Sequence, residues 1–380
     1  MPRRESRAPV LSLSLGLLMM GSSISAQLSS DSIKRAHQYS AANNGRALLV
    51  YENGNLRFED YYSGYRKGEP LHIYSGTKSF FGVLAVIAAE ERLLSLDERV
   101  AETLPEWRDD PRKAQVRIRD LLNFTSGLET GFEEIYGRSS ADKIKLAVGL
   151  KATRDRGQSF VYGPSHLNVF CEVLDRKLER KRMNYEEYLE KKLLRPLGIE
   201  VHRWREDAHG NVVPSAGMYL TAQDWVKFGE MINQGGVWKG RRLVKSESLQ
   251  ECFRGTEINP AFGLCFWLNA YTGQPGAREI DVEETLEIEP LPEDWRGACL
   301  SEGAPRDLIV SLGSTFQRLY LLPSRNLIVI HHGKPGHEFR DAEFLRILFA
   351  DAPTPGPEAA GPRQTRPIFP NLFRKKKAKE

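Results

Sequence analysis

The chain has 380 residues, 41% hydrophobic and 27% charged, which is the composition of a globular protein with room for one large domain or two ordinary ones. Of the formal net charge of +4, residues 1–26 contribute +2 and residues 352–380 contribute +5, leaving −3 on the body between them. A slightly acidic body argues against a nucleic-acid-binding domain.

The N-terminus reads as a signal peptide. MPRRESR is basic, a short apolar stretch follows from Val10 to Met20, and GSSISAQ places small residues at Ser25 and Ala26. The apolar run is too short to span a bilayer, so cleavage at Ala26 and export to the periplasm or the medium are expected. No cysteine follows it to carry a lipid anchor, and no other segment reads as transmembrane.

The body, 27–351, opens on GRALLVYENGNLRFEDYY (45–62), two β-rich runs around Asn53-Gly54, a hairpin signal. Helical patterns follow at 76–93, 97–104, 141–152, 165–181, 184–195, 221–234 and 245–253, separated by Gly and Pro. Near the end, FQRLYLLPSRNLIVIHH (316–332) repeats the hairpin design around Pro323-Ser324, and DAEFLRILFA closes the body as a helix. Strands at both ends with helices between predict an α+β fold: one antiparallel sheet built from the two ends of the body, flanked by helices, with a largely helical insertion. The tail, 352–380, is rich in Pro and Gly and ends in RKKKAK. It reads as a disordered basic segment, whose charge suits weak contact with anionic envelope polymers.

Four cysteines remain. Cys171 lies in an apolar helical run and reads as a buried thiol, while Cys265 and Cys299, both near predicted strands, are a candidate disulfide. Their spacing fits no zinc pattern. His331-His332 lack a third ligand and read as a solvated strand end rather than a metal site. Trp225, Trp238 and Trp267 read as packing residues, and Ser126 as a loop-shaping one.

The chemistry gathers around HIYSGTKSFFG (72–82), where Ser75 precedes Lys78 by three residues ahead of a long apolar helix. Ser75 can be read simply as a helix cap, and the same Ser-x-x-Lys spacing recurs at Ser140 and Lys143. The chemical reading is that positions i and i+3 share a helix face, so a desolvated, neutral Lys78 can take the proton of Ser75. Tyr162, in GQSFVYGPSHLNVF, is a candidate second proton carrier. DLIVSLGSTFQ (307–317) reads as a glycine-broken edge strand in which Gly313 admits a substrate and Ser314 presents its N–H to an oxyanion.

These stretches together resemble the serine hydrolases related to class C β-lactamases and D-alanyl-D-alanine carboxypeptidases, over about residues 40 to 350. YSGTKSFFGVLAVIAAEERLLSLDERVAETLPEW is similar to that family's nucleophile helix. IRDLLNFTSGL, LLRPLGI, AGMYLTAQDWVKFGEMINQGGVWKGRRLV, FGLCFWLN and GSTFQRLYLLPSRNLIVIHHGK follow in the family's order. Ser140 lies outside the matching context. The resemblance implies a β-lactamase/transpeptidase-like, penicillin-binding-protein-like fold and a hydrolase that forms an acyl-enzyme on Ser75. Lys78 would be its base, Tyr162 the catalytic tyrosine, and the N–H groups of Ser75 and Ser314 the oxyanion hole, with no metal and no cofactor. The substrate would be a small molecule, a peptide or an ester.

Two departures bear on substrate. The family's Tyr-x-Asn reads Tyr162-Gly163-Pro164, leaving Asn168 or His166, one turn on, as the substitute amide-binding side chain. The family's Lys- or His-led strand motif reads Ser311-Leu312-Gly313, so the cation that would recognise a substrate carboxylate is missing. Both weaken a β-lactam or D-Ala-D-Ala reading and favour an esterase or an unusual peptidase. The alternative is a catalytically weak module of the same fold that binds envelope material.

Overall fold

The structure, a computed structural model, describes residues 27–137, 141–287, 292–336 and 338–350. The signal-peptide segment, the basic tail and Ser140 lie outside the described residues.

Six antiparallel strands form the main sheet. They are β1 (Gly45–Glu52), β2 (Asn55–Tyr61), β3 (Trp267–Leu268), β4 (Ile309–Gly313), β5 (Gln317–Leu322) and β6 (Leu327–Gly333), in the spatial order β2-β1-β6-β5-β4-β3. The first and last strands of the body are central neighbours, with Ala47 opposite His332 and Glu52 opposite Leu327. Asn53 and Gly54 both take positive φ, 54° and 75°, the geometry a two-residue hairpin turn requires.

β5 and β6 are buried along their whole length, which is why their facing halves, Leu319–Leu322 and Leu327–Ile330, read as apolar runs rather than alternations. One face carries α1 (Ser30–Ala42) and α5 (Asp341–Phe349), with Phe344 of α5 stacked on Tyr320 at 5.6 Å. The other face carries α4 (Ala222–Asn233): Gly229 lies against Leu319, Leu321 and Ile328, and Trp225 stacks on His332 at 5.9 Å. α2 (Thr77–Glu90) is buried from Thr77 to Ala88, and its Phe80 stacks on Phe228 of α4 at 3.9 Å. A helix apolar all round belongs inside a protein, and α2 is the pillar between the sheet and the helical insertion. The insertion includes α3 (Ser165–Leu178).

Several expectations are corrected. α1 is not legible in the sequence because its buried stripe is half serine: Ser32, Ile33, Ala36 and Ser40. The run at 184–195 is broken by a π turn at Glu190–Leu194 between short helices Tyr185–Leu189 and Arg195–Leu197. His331 and His332 are not a solvated strand end: both are fully buried, with Nδ1 donated to the Phe316 carbonyl (2.8 Å) and to Gln317 Oε1 (2.7 Å) respectively. No disulfide joins Cys265 and Cys299. All four cysteines are free and buried, and the Cys265 thiol points to the Leu122 carbonyl (3.4 Å) while Cys299 lies in a separate two-stranded pair with residues 278–279. No helix among the described residues is long and apolar enough to cross a membrane.

Candidate active site

Ser75 does not cap α2. It stands in a 3-10 turn, Tyr74–Gly76, and the residue flanking the helix is Gly76, which makes no side-chain cap. The preceding Tyr74 takes φ +46°, a left-handed conformation that is uncommon for a bulky residue and that turns the chain sharply into the helix. The Tyr74 ring is held by a stack: it lies 3.9 Å from His72, which in turn lies parallel to Tyr219 at 4.5 Å. Gly76 allows close packing below the turn, since a Cβ there would come within 2.6 Å of the Trp225 ring.

One helical step on, Lys78 Nζ donates to Ser75 Oγ at 2.8 Å and to the Ser215 carbonyl at 2.7 Å. The Ser215 hydroxyl accepts from Tyr136 Oη at 2.8 Å. Lys78 is buried, and among the described residues no carboxylate pairs with it. Burial therefore pulls its pKa down to about 7. The Tyr162 side chain lies beside Ser75, with its ring centroid 4.9 Å from Lys78 Nζ. The same burial pushes the Tyr162 phenol well above its usual range, so it is protonated at neutral pH.

The sheet closes the site from the other side. The end of β4 approaches the nucleophile turn so closely that a Cβ on Gly313 would lie 2.0 Å from the Ile73 carbonyl oxygen and 3.1 Å from the Gly76 nitrogen. Ser311 Oγ donates to the Gly76 carbonyl at 3.1 Å. Ser314 is the next residue after β4, directly beyond this close approach of Gly313.

The structure thus brings together Ser75, Lys78, Tyr162, Ser311, Gly313 and Ser314. It does not bring Asn168 to substrate: the Asn168 amide is buried and donates to the Pro164 carbonyl of its own helix at 2.8 Å. His166 is likewise committed. Its ring nitrogens meet Ser126 Oγ (3.0 Å) and the Val161 carbonyl (2.7 Å), and this pins the loop that presents Tyr162. Trp225 and Trp267 are core residues, while Trp238 is only partly buried on the short hairpin strand Val237–Trp238. Ser215 and Tyr136 were not legible as site residues. Ser215 contributes a backbone carbonyl, for which no side-chain pattern exists.

This arrangement, a serine and a buried lysine at the start of an apolar helix facing the edge of an antiparallel sheet, sits in the fold of the β-lactamase-like serine hydrolases. The chain belongs to the Beta-lactamase family, whose model matches residues 34–330. Among solved structures it is similar to EstCE1, a hydrolase with promiscuous acyltransferase activity, with a TM-score of 0.62 at 15% identity, covering 84% of this chain and 99% of that one. It is also similar to a D-stereospecific amidohydrolase from Streptomyces sp., with a TM-score of 0.57 at 13% identity, covering 85% and 99%. At such identities the likeness concerns the fold. Among curated proteins it is similar to the ML-236A carboxylate methylbutanoyltransferase mlcH of Penicillium citrinum, 27% identical over 155 residues. That match covers 34% of this chain and 36% of the relative, little more than a third of the relative's length.

Proposed function

We propose that the protein is an exported serine hydrolase that cleaves an ester or amide through an acyl-enzyme on Ser75. The observation that carries this reading is the 2.8 Å contact between Lys78 Nζ and Ser75 Oγ, with the lysine buried and its pKa near 7. Neutral Lys78 takes the Ser75 proton as Oγ bonds to the substrate carbonyl carbon. The N–H groups of Ser75 and Ser314 receive the oxyanion. As the intermediate collapses, the leaving group takes a proton from Lys78 by way of the Tyr162 hydroxyl. Water then cleaves the acyl-enzyme with the same groups. Export rests on the Val10–Ala26 sequence pattern.

The substrate class follows from a missing charge. Ser311 stands where a carboxylate-binding cation would, and the nearby Arg318 is fully buried and bonded to Asp341 and Glu283. An uncharged ester is favoured over a β-lactam or a D-Ala-D-Ala peptide. The inward commitment of Asn168 and His166 favours, as a second reading, a weakly catalytic binding module. Intact mass after treatment with a fluorophosphonate separates the two. One adduct on the wild type that is missing in Ser75→Ala supports the hydrolase, and no adduct on either supports the binding module.

A further inference from the structure

Arg318 is the one charged residue in the apolar run of β5, and its side chain is fully buried. Its Nη1 donates to the Gly313 carbonyl at 2.6 Å. Its Nε and Nη2 engage Asp341 at 2.8 and 2.9 Å, and Nη2 also donates to Glu283 Oε1 at 2.9 Å. The same Glu283 oxygen accepts the Phe316 N–H at 3.1 Å. Glu283 comes from a different part of the chain, the short helix Val282–Glu287.

These bonds converge on the turn that joins β4 to β5. Its residues Thr315 and Phe316 both take φ +60°, a conformation that a β-branched or bulky residue holds only when its surroundings impose it. The surroundings do impose it. The Gly313 carbonyl is taken by Arg318, the Thr315 carbonyl by Gln317 Nε2 (2.8 Å), the Phe316 N–H by Glu283 and the Phe316 carbonyl by His331 (2.8 Å). The residue inside this frame is Ser314.

We infer that Arg318 and Glu283 are positioning residues that hold the strained 314–316 turn so that the Ser314 N–H points at the oxyanion. The inference rests on the hydrolase reading. The charge of Glu283 opposes an oxyanion, so its value lies in geometry: one oxygen ties the arginine to the turn backbone, and the guanidinium between them offsets the charge. Displacing an oxyanion donor weakens the transition state more than the bound substrate.

Glu283 is the position to test, because removing Arg318 would leave Asp341 buried without its partner. The full-length protein would be assayed with 4-nitrophenyl butyrate and with phenylboronic acid as a mimic of the tetrahedral state. For Glu283→Ala we expect kcat to fall by roughly 10-fold or more with KM within about twofold, since one lost oxyanion donor costs up to about 10²–10³. Phenylboronic acid should weaken by a matching factor, the pH midpoint should stay in place, and Glu283→Gln, which can still accept both bonds, should recover most of the rate. An active wild type whose rate is indifferent to Glu283→Ala overturns this inference alone. So does a loss that Gln fails to rescue or that moves the pH midpoint. A wild type that neither hydrolyses the ester nor takes up a fluorophosphonate overturns the hydrolase reading and this inference together.

Discussion

Lys78 and Tyr162 face each other beside Ser75, the lysine Nζ 4.9 Å from the ring centroid, and burial drives their proton affinities in opposite directions. The lysine falls to about 7 and the phenol rises above its usual range, so just above neutral pH both are largely uncharged. A neutral amine is a base and a neutral phenol is a proton donor, which is the pair that acyl transfer from Ser75 requires.

The first expectation concerns the pH profile of that pair. Log kcat/KM for a neutral ester should rise with unit slope up to a midpoint near 7, as Lys78 loses its proton, and then run flat through pH 9. Lys78→Met should remove the limb along with most of the rate. A rise centred near 10, where an exposed lysine titrates, would contradict the role of burial.

The same shift has a consequence for stability. The unfolded chain holds its lysine proton up to the ordinary value of 10.5, whereas the folded chain releases it near 7. Between these values the unfolded state binds more protons, so stability rises with pH across that window and is lost again as pH falls through 7. Lys78→Met should flatten that slope and melt higher than the wild type at pH 6, with the difference shrinking toward pH 10. Melting curves across that range check it. Equal slopes in the two proteins would show that Lys78 is better solvated than its burial implies.

Gly313 ties the sheet to the nucleophile turn, and it tolerates no side chain. A Cβ there would lie 2.0 Å from a backbone oxygen, so Gly313→Ala must push β4 away from Ile73. The strain should cost about 1–3 kcal/mol of stability. The displacement should lower kcat by about 10²-fold, because it separates Ser314 from Ser75. Kinetics and melting on one preparation test both, and a rate within twofold of wild type would show that the two turns do not act together.

How much of this was legible beforehand follows from what kind of signal each part leaves. The Asn53-Gly54 hairpin, the apolar α2 and the Ser75–Lys78 spacing are local patterns, and the structure keeps each near its predicted place. α1 left no signal because serines replace apolar residues along its buried face. His332 packs on Trp225, a partner distant in sequence, and His331 on Phe339, which reaches it only because the chain folds back after β6, and no strand pattern reports either. Arg318 did leave a trace, a lone charge inside an apolar strand, but its partners Glu283, Asp341 and the Gly313 carbonyl exist only in three dimensions.

Tyr162 offers the sharpest test of how the proton moves. With the phenol neutral, its hydroxyl acts as a relay between Lys78 and the leaving group rather than as the base that activates Ser75. Tyr162→Phe keeps the ring against Lys78 and Trp267, so it should fold normally and leave the midpoint near 7 in place. Turnover of an alkyl ester, whose alkoxide needs a proton to depart, should drop by about 10²–10⁴-fold. A 4-nitrophenyl ester, whose leaving group departs unaided, should lose far less, and the fluorophosphonate should still label Ser75. If the variant instead loses labelling and both esters to the same extent, Tyr162 is part of the base, and the division of labour between it and Lys78 is the reverse of the one that burial dictates.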